Sequence, residues 1–288
     1  SYIVRNRNNQ IDNFIKNGNI TQEKVFEELI RKGKYSMFGK EHYFNDIKSY
    51  EDFAKQVPVR TYEEFFAYIQ KIRSGINNVL WPGTTKWFAK SSGTTNDKSK
   101  FIPVSQEALD KCYLKSGKDM ISLYCRNFPE TRVFTGRGVI LAGSIQNNNM
   151  NNFIDGDISA ILMKNLPYLV SLNKTPNLEI NLLEDWSSKL KNITEKIKNE
   201  NITNLTGIPS WMLLLLKKVL EATQMSSIGE IWPNLELYIH GGVNISPYKS
   251  KFDRLLGSGK DINYLEVYNA SEGFFAIQNC PKSNDMLL

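Results

Sequence analysis

The sequence predicts an α/β protein: mostly parallel sheets flanked by helices, behind a helical N-terminal segment. Three observations predict it. Short apolar runs bounded by glycine, such as Gly138-Val139-Ile140-Leu141-Ala142-Gly143, have the length and composition of buried strands. Longer stretches between them, such as 181–199, place apolar residues at helical spacing. Strand and helix then alternate through the C-terminal half, which is how parallel strands are connected.

Each element has its own local signal. Gln22-Glu23-Lys24 opens a helix that runs through Ile30, with Thr21 as its N-cap. Thr61-Tyr62-Glu63-Glu64 is a capping box ahead of Phe65-Phe66-Ala67-Tyr68-Ile69. Trp87-Phe88-Ala89 begins a strand–loop–strand unit that closes with Phe101-Ile102-Pro103, where proline biases Ile102 away from helix. Residues 106–124 read as a helix, 138–143 as a buried strand, and 147–152 as an exposed Asn-rich loop. In the 181–199 helix, the lysines from Lys189 to Lys198 form the wet face. Leu205 lies on a short strand, and Pro209 starts a helix through about Ala222, at a position that tolerates proline. The strand at 235–240 ends in Gly241-Gly242, residues 247–256 are helical, and 264–268 is a further strand.

The bulk composition excludes several classes. With 288 residues, 41% hydrophobic and 23% charged, the chain is globular, one large domain or two ordinary ones. A formal charge of +6 permits anionic partners, but the lysines spread along the chain, so no nucleic-acid surface is expected. The longest strongly apolar run, Trp211 to Leu216, is too short to cross a membrane. The start, Ser1-Tyr2-Ile3-Val4-Arg5, has no signal-peptide core. Cys112, Cys125 and Cys280 form no CxxC pair and are odd in number, which fits a reducing cytoplasm. Nothing in the sequence sets an oligomeric state.

Two segments carry chemistry. In Ser91-Ser92-Gly93-Thr94-Thr95-Asn96-Asp97-Lys98-Ser99-Lys100, glycine allows close backbone approach, hydroxyls and N–H groups can surround phosphate oxygens, and lysine supplies positive charge. A Walker loop would need glycine before the lysine and a helix after it, and neither is present. A polar surface loop is the alternative, and Lys98 rivals Lys100 as the phosphate lysine. The second segment, Tyr268-Asn269-Ala270-Ser271-Glu272-Gly273, follows a strand directly. Its ring can cover a flat base, and Glu272 offers a hard oxygen to a Mg²⁺ carried by a nucleotide. Both segments, and the Gly241-Gly242 turn, follow strands, where open α/β sheets bind ligands.

Ser91-Ser92-Gly93-Thr94-Thr95 with Lys100 and Pro103 resembles the phosphate motif of the auxin-responsive acyl-acid amido synthetase family, part of the adenylate-forming superfamily. Tyr268 to Gly273 resembles that family's second nucleotide motif. Gln22-Glu23-Lys24, Tyr50-Glu51-Asp52-Phe53, Val57-Pro58-Val59-Arg60, Gly207-Ile208-Pro209-Ser210 and Gly241-Gly242 agree with it, in the family's order over nearly the whole chain. The resemblance implies that residues 1–288 form the nucleotide- and acyl-binding N-terminal domain. It also implies ATP and Mg²⁺ as cofactors, and a small carboxylic acid and an amine, such as an amino acid, as substrates. Lys100 and Glu272 would carry catalysis, with Glu272 holding Mg²⁺. Ser91, Ser92, Gly93, Thr94 and Thr95 would cradle phosphates, Tyr268 would stack on adenine beside Gly242, Val243 and Asn244, and Ser271 would complete the set.

Family members are longer, with a third nucleotide motif and a C-terminal lid, whereas this sequence stops at Asp285-Met286-Leu287-Leu288. These residues alone are therefore expected to be short of full competence. Asn96-Asp97 stands where plant members favour glycine. Thioesterification with coenzyme A would use the same adenylate, and a non-catalytic nucleotide-binding module would keep the same motifs. His240 either ends a strand or touches the acyl group, and Trp211, Met212 and Leu215 are either helix core or acid pocket.

Overall fold

The computed structural model describes residues 2–91, 99–148, 153–280, 283 and 285–288. The chain forms two compact units, residues 1–109 with 146–155, and residues 110–145 with 156–288.

The first unit opens with the helices Tyr2–Lys16 and Gly18–Gly33. The second begins earlier than its sequence signal: the Thr21 N–H already donates to Asn17 O, so Thr21 lies inside the helix and caps nothing. At Tyr62–Arg73 the capping box forms as expected, with Thr61 accepting from the Glu64 N–H and Glu64 accepting from the Thr61 N–H. Strand β1 (Trp87–Ser91) pairs antiparallel with β2 (Lys100–Val104), the expected strand–loop–strand. With β4 (Ile145–Asn148) and β5 (Phe153–Gly156) they form a sheet of order β2-β1-β5-β4. Part of the segment expected as an Asn-rich loop is therefore strand: Asn147 and Asn148 belong to β4.

The second unit is built on a seven-stranded sheet. Its strands are β3 (Arg137–Ile140), β6 (Lys174–Thr175), β7 (Ile202–Thr206), β8 (Leu237–Gly241), β9 (Asn263–Ala270), β10 (Gly273–Gln278) and β11 (Met286–Leu287), in the order β11-β10-β9-β8-β7-β3-β6. β6, β3, β7, β8 and β9 are parallel neighbours, and β10 and β11 add antiparallel pairs at one edge. Side chains alternate across the sheet. Tyr238 and Leu205 join a core with the helices Trp186–Ile197, Pro209–Thr223 and Ser246–Leu256. Leu237, Ile239 and Leu265 instead pack with Tyr124 of the Leu114–Asn127 helix.

Three helix readings need correction. The expected 106–124 helix is a short turn at Gln106–Ala108, a π-helical turn at Leu109–Tyr113, and then Leu114–Asn127. The 181–199 helix starts at Trp186, because Asp185 accepts from the Ser188 N–H and caps it there. Asn181 is instead fully buried, and ends a separate short helix, Leu178–Asn181. Lys189 is not on a wet face: it is 1% exposed. Among the described residues, no helix is long and apolar enough to cross a membrane.

Candidate nucleotide site

Because β3, β7, β8 and β9 run parallel, the segments that leave them gather on one edge of the sheet. These segments are 141–144, the Gly207-Ile208-Pro209 turn, the Gly241–Asn244 turn, and the Ser271-Glu272 turn into β10.

Side chains fix the first of them. Asn181 Nδ2 donates to Ile140 O at 2.6 Å and its Oδ1 accepts from the Ala142 N–H at 3.2 Å. Ser159 Oγ accepts from the Gly143 N–H at 3.0 Å, and Asp157 accepts from the Ser144 N–H at 2.8 Å. Lys189 Nζ donates to Ala142 O at 2.6 Å and Gly143 O at 2.7 Å. Burial pulls its pKa down to about 8, against the opposing pull of Asp157. A Cβ on Gly143 would sit 2.1 Å from an Asp157 oxygen, so only glycine fits there. An irregular buried segment thus has its backbone groups paired by side chains in place of a ladder.

At the end of β8, Gly242 takes φ +81° and turns the chain. Val243 is exposed, and Asn244 Oδ1 accepts from the Ser246 N–H at 2.8 Å at the start of the Ser246–Leu256 helix. His240, just before the turn, is 2% exposed and lies 5.5 Å from the Tyr238 ring and 6.2 Å from the Tyr264 ring. Its Nδ1 is buried without a partner among the described residues, and burial lowers its pKa to about 4, so the imidazole is neutral.

β9 ends at the second motif. Tyr268 is 55% exposed and its ring lies 5.0 Å from that of Phe275, also exposed, on β10. Asn269 Oδ1 is buried without a partner among the described residues. Ala270 pairs with Gly273, leaving Ser271 and Glu272 as a two-residue hairpin loop. Ser271 is half-buried, and Glu272 is exposed, with no hydrogen bond or ion pair to the described residues.

These features fit a metal-bound nucleotide. The exposed aromatic shelf suits a base. Among the described residues no group of three or more His, Cys, Asp or Glu forms a metal cage. A single free carboxylate suits a hard cation that arrives on phosphates and keeps its own waters.

The residues expected in the site fall into two sets. Gly242, Val243, Asn244, Tyr268, Ser271 and Glu272 share one edge of one sheet, at or just beyond the ends of the adjacent strands β8 and β9. Ser91 and Lys100 face each other across the β1–β2 ladder of the first unit. Lys100 Nζ lies 5.4 Å from the Tyr62 ring. Ser92, Gly93, Thr94 and Thr95, and the rival Lys98, lie outside the described residues. Met212 and Leu215 are core, and Trp211 packs partly buried against it, 4.9 Å from the Trp186 ring. Sequence reading missed Lys189, Asn181, Cys112 and Tyr113. Only Lys189 left a signal: it continues the apolar stripe of Trp186, Leu190, Ile193 and Ile197.

Comparison with known proteins bears on the family and the fold. The model of the GH3 family N-terminal domain matches residues 7–261. The sequence is 29% identical over 102 residues to indole-3-acetic acid-amido synthetase GH3.2 of Arabidopsis thaliana, spanning 35% of this chain and 19% of that protein. It is 29% identical over 108 residues to GH3.6 of the same organism, also an indole-3-acetic acid-amido synthetase, spanning 37% and 18%. Among solved structures, the fold is similar to GH3.15 acyl acid amido synthetase, with a TM-score of 0.71 at 14% identity over 96% of this chain and 58% of that one. It is also similar to AtGH3.15 acyl acid amido synthetase in complex with 2,4-DB, with a TM-score of 0.65 at 16% identity over 90% and 56%. The chain therefore spans just over half the length of the solved proteins it matches, and the curated alignments cover about a fifth of those relatives.

Proposed function

The chain belongs to the GH3 family, and on that premise we propose that it adenylates a small carboxylic acid with ATP and passes the acyl group to an amine, such as that of an amino acid. The observation that carries this reading is the β9–β10 turn, which presents the exposed Glu272 carboxylate and the exposed Tyr268 ring at the ligand-binding edge of a parallel sheet.

A carboxylate is already ionised at neutral pH, so its attack on the α-phosphorus of ATP needs no general base. It needs alignment and charge neutralisation. Lys100 and the hydroxyls of Ser91, Ser92, Thr94 and Thr95 would hold the phosphates, and Gly93 would let the backbone approach them. Tyr268 would stack on adenine beside Gly242, Val243 and Asn244, with Ser271 at the same turn. Glu272 would hold Mg²⁺, which supplies charge screening for the departing pyrophosphate. The amine then attacks the acyl carbon and AMP leaves. Residues 1–288 serve here as the nucleotide- and acyl-binding domain. Use of ATP and three free cysteines suits a reducing cytoplasm.

Exchange of labelled pyrophosphate into ATP, across a panel of carboxylic acids, tests the reading. Exchange that depends on one class of acid is expected, and Lys100→Ala will lower nucleotide affinity by at least about tenfold, the loss of one charge-assisted contact. AMP release that depends on an amine is the expected second half, and dependence on coenzyme A would make the protein a thiol ligase instead. ATP binding with no exchange for any acid would reduce it to a binding module.

A further inference from the structure

We propose that Tyr113, with Cys112 beside it, is the positioning residue that fixes the Ser271-Glu272 turn for metal-bound nucleotide. The inference rests on the reading of Glu272 as the Mg²⁺ ligand. Its basis is that this hairpin loop is poorly specified by its own backbone. Two-residue hairpin loops favour turns with a positive φ, usually supplied by Gly, Asn or Asp. Neither Ser271 nor Glu272 has a positive φ.

The missing support comes from a distant element. The Tyr113 hydroxyl lies 3.1 Å from Ala270 O and 3.0 Å from Ser271 O, so its one proton is shared between two consecutive carbonyls of the turn. Cys112 Sγ accepts from the Phe274 N–H at 3.3 Å and lies 3.8 Å from Phe274 O, on the other side of the same turn. Both residues sit on the π-helical turn Leu109–Tyr113, a kind of distortion that gathers at functional sites. Tyr113 is 4% exposed, and burial, then Cys112 and the Glu272 charge, push its pKa well above the usual tyrosine value. The hydroxyl therefore stays protonated and remains a donor to the two carbonyls that precede Glu272.

A turn held this way presents Glu272 in one place before any nucleotide arrives. Without the hydroxyl, the carboxylate must be ordered at the moment of binding, and that cost falls only on the metal-dependent part of affinity.

The test is ATP binding, by calorimetry, with MgCl₂ and with EDTA. Tyr113→Phe keeps the ring and removes the donor. Its affinity is expected to fall about tenfold with Mg²⁺, the equivalent of one lost hydrogen bond, and to stay unchanged in EDTA. Tyr124→Phe is the control: the Leu114–Asn127 helix that follows the π-helical turn carries it, and its hydroxyl bonds to Glu236 at 2.9 Å, away from the turn. It should leave both affinities unchanged. Equal losses in Tyr113→Phe and Tyr124→Phe, or a Tyr113→Phe loss equal with and without Mg²⁺, would overturn the proposal. If Tyr113→Phe does not fold, Cys112→Ala gives an independent arm, with a smaller loss confined to Mg²⁺ expected and no loss contradicting the clamp. If Glu272→Ala keeps its full Mg²⁺ dependence, the parent assignment itself falls. Loss in Glu272→Ala with none in Tyr113→Phe would sink the clamp and leave the parent standing.

Discussion

Lys189→Ala will destabilise the protein by about 4 kcal/mol, from a core cavity and two buried carbonyls left without a donor. Lys189 is 1% exposed, and its ammonium is the donor to Ala142 O and Gly143 O. Lys189→Met fills most of the space and will cost about 2 kcal/mol, the carbonyl share alone. The pH dependence separates the terms further. The folded pKa is about 8, below the ordinary 10.5, so between those values the unfolded chain keeps a proton that the folded chain has shed. Stability must therefore rise with pH across that window, by on the order of 3 kcal/mol, and fall again as pH drops through 8. Urea unfolding at pH 7.5 and 10 measures both effects. A Lys189→Met protein with the same rise from pH 7.5 to 10 as the parent would contradict the assignment.

Arg73→Ala will cost about 3 kcal/mol, by leaving a buried carboxylate without its cation. Arg73 ends the Tyr62–Arg73 helix and holds Asp155 through two hydrogen bonds, at 3.0 and 2.8 Å. Its guanidinium also lies 4.2 Å from the Phe153 ring, 4.7 Å from Phe101 and 5.0 Å from Phe88, so one side chain ties the helix to β1, β2 and β5. Arg73→Lys keeps the charge but loses the planar fork and its stacking, and should recover less than half of the loss. A loss under about 1 kcal/mol in Arg73→Ala would mean that Asp155 finds water or another partner.

What could be read in the sequence was local. The Thr61 capping box, Pro209 at a helix start and the strands around Leu205, Ile239 and Val267 are each set within a few residues, and each formed. The Tyr268 to Gly273 motif was legible for the same reason: a strand, a turn and a carboxylate in six residues. Thr21 misled because a good capping residue is also tolerated one turn inside a helix whose true start is Gly18. Lys189 misled because a lysine among lysines reads as solvent-facing, although its spacing from Ile193 and Ile197 put it on the core stripe. Tyr113 could not have been found: its partner carbonyls lie 157 and 158 residues away, and the π-helical turn that aims it has no sequence signature. Asn181, buried to pair Ile140 O from 41 residues away, is illegible for the same reason.

We propose that the β9–β10 turn binds ATP through Mg²⁺ held on Glu272. Titration of ATP into the protein and into Glu272→Ala, each with Mg²⁺ and with EDTA, tests it most directly. Mg²⁺ is expected to tighten binding to the parent by at least about tenfold and to do nothing for Glu272→Ala. Equal tightening in both proteins would contradict it.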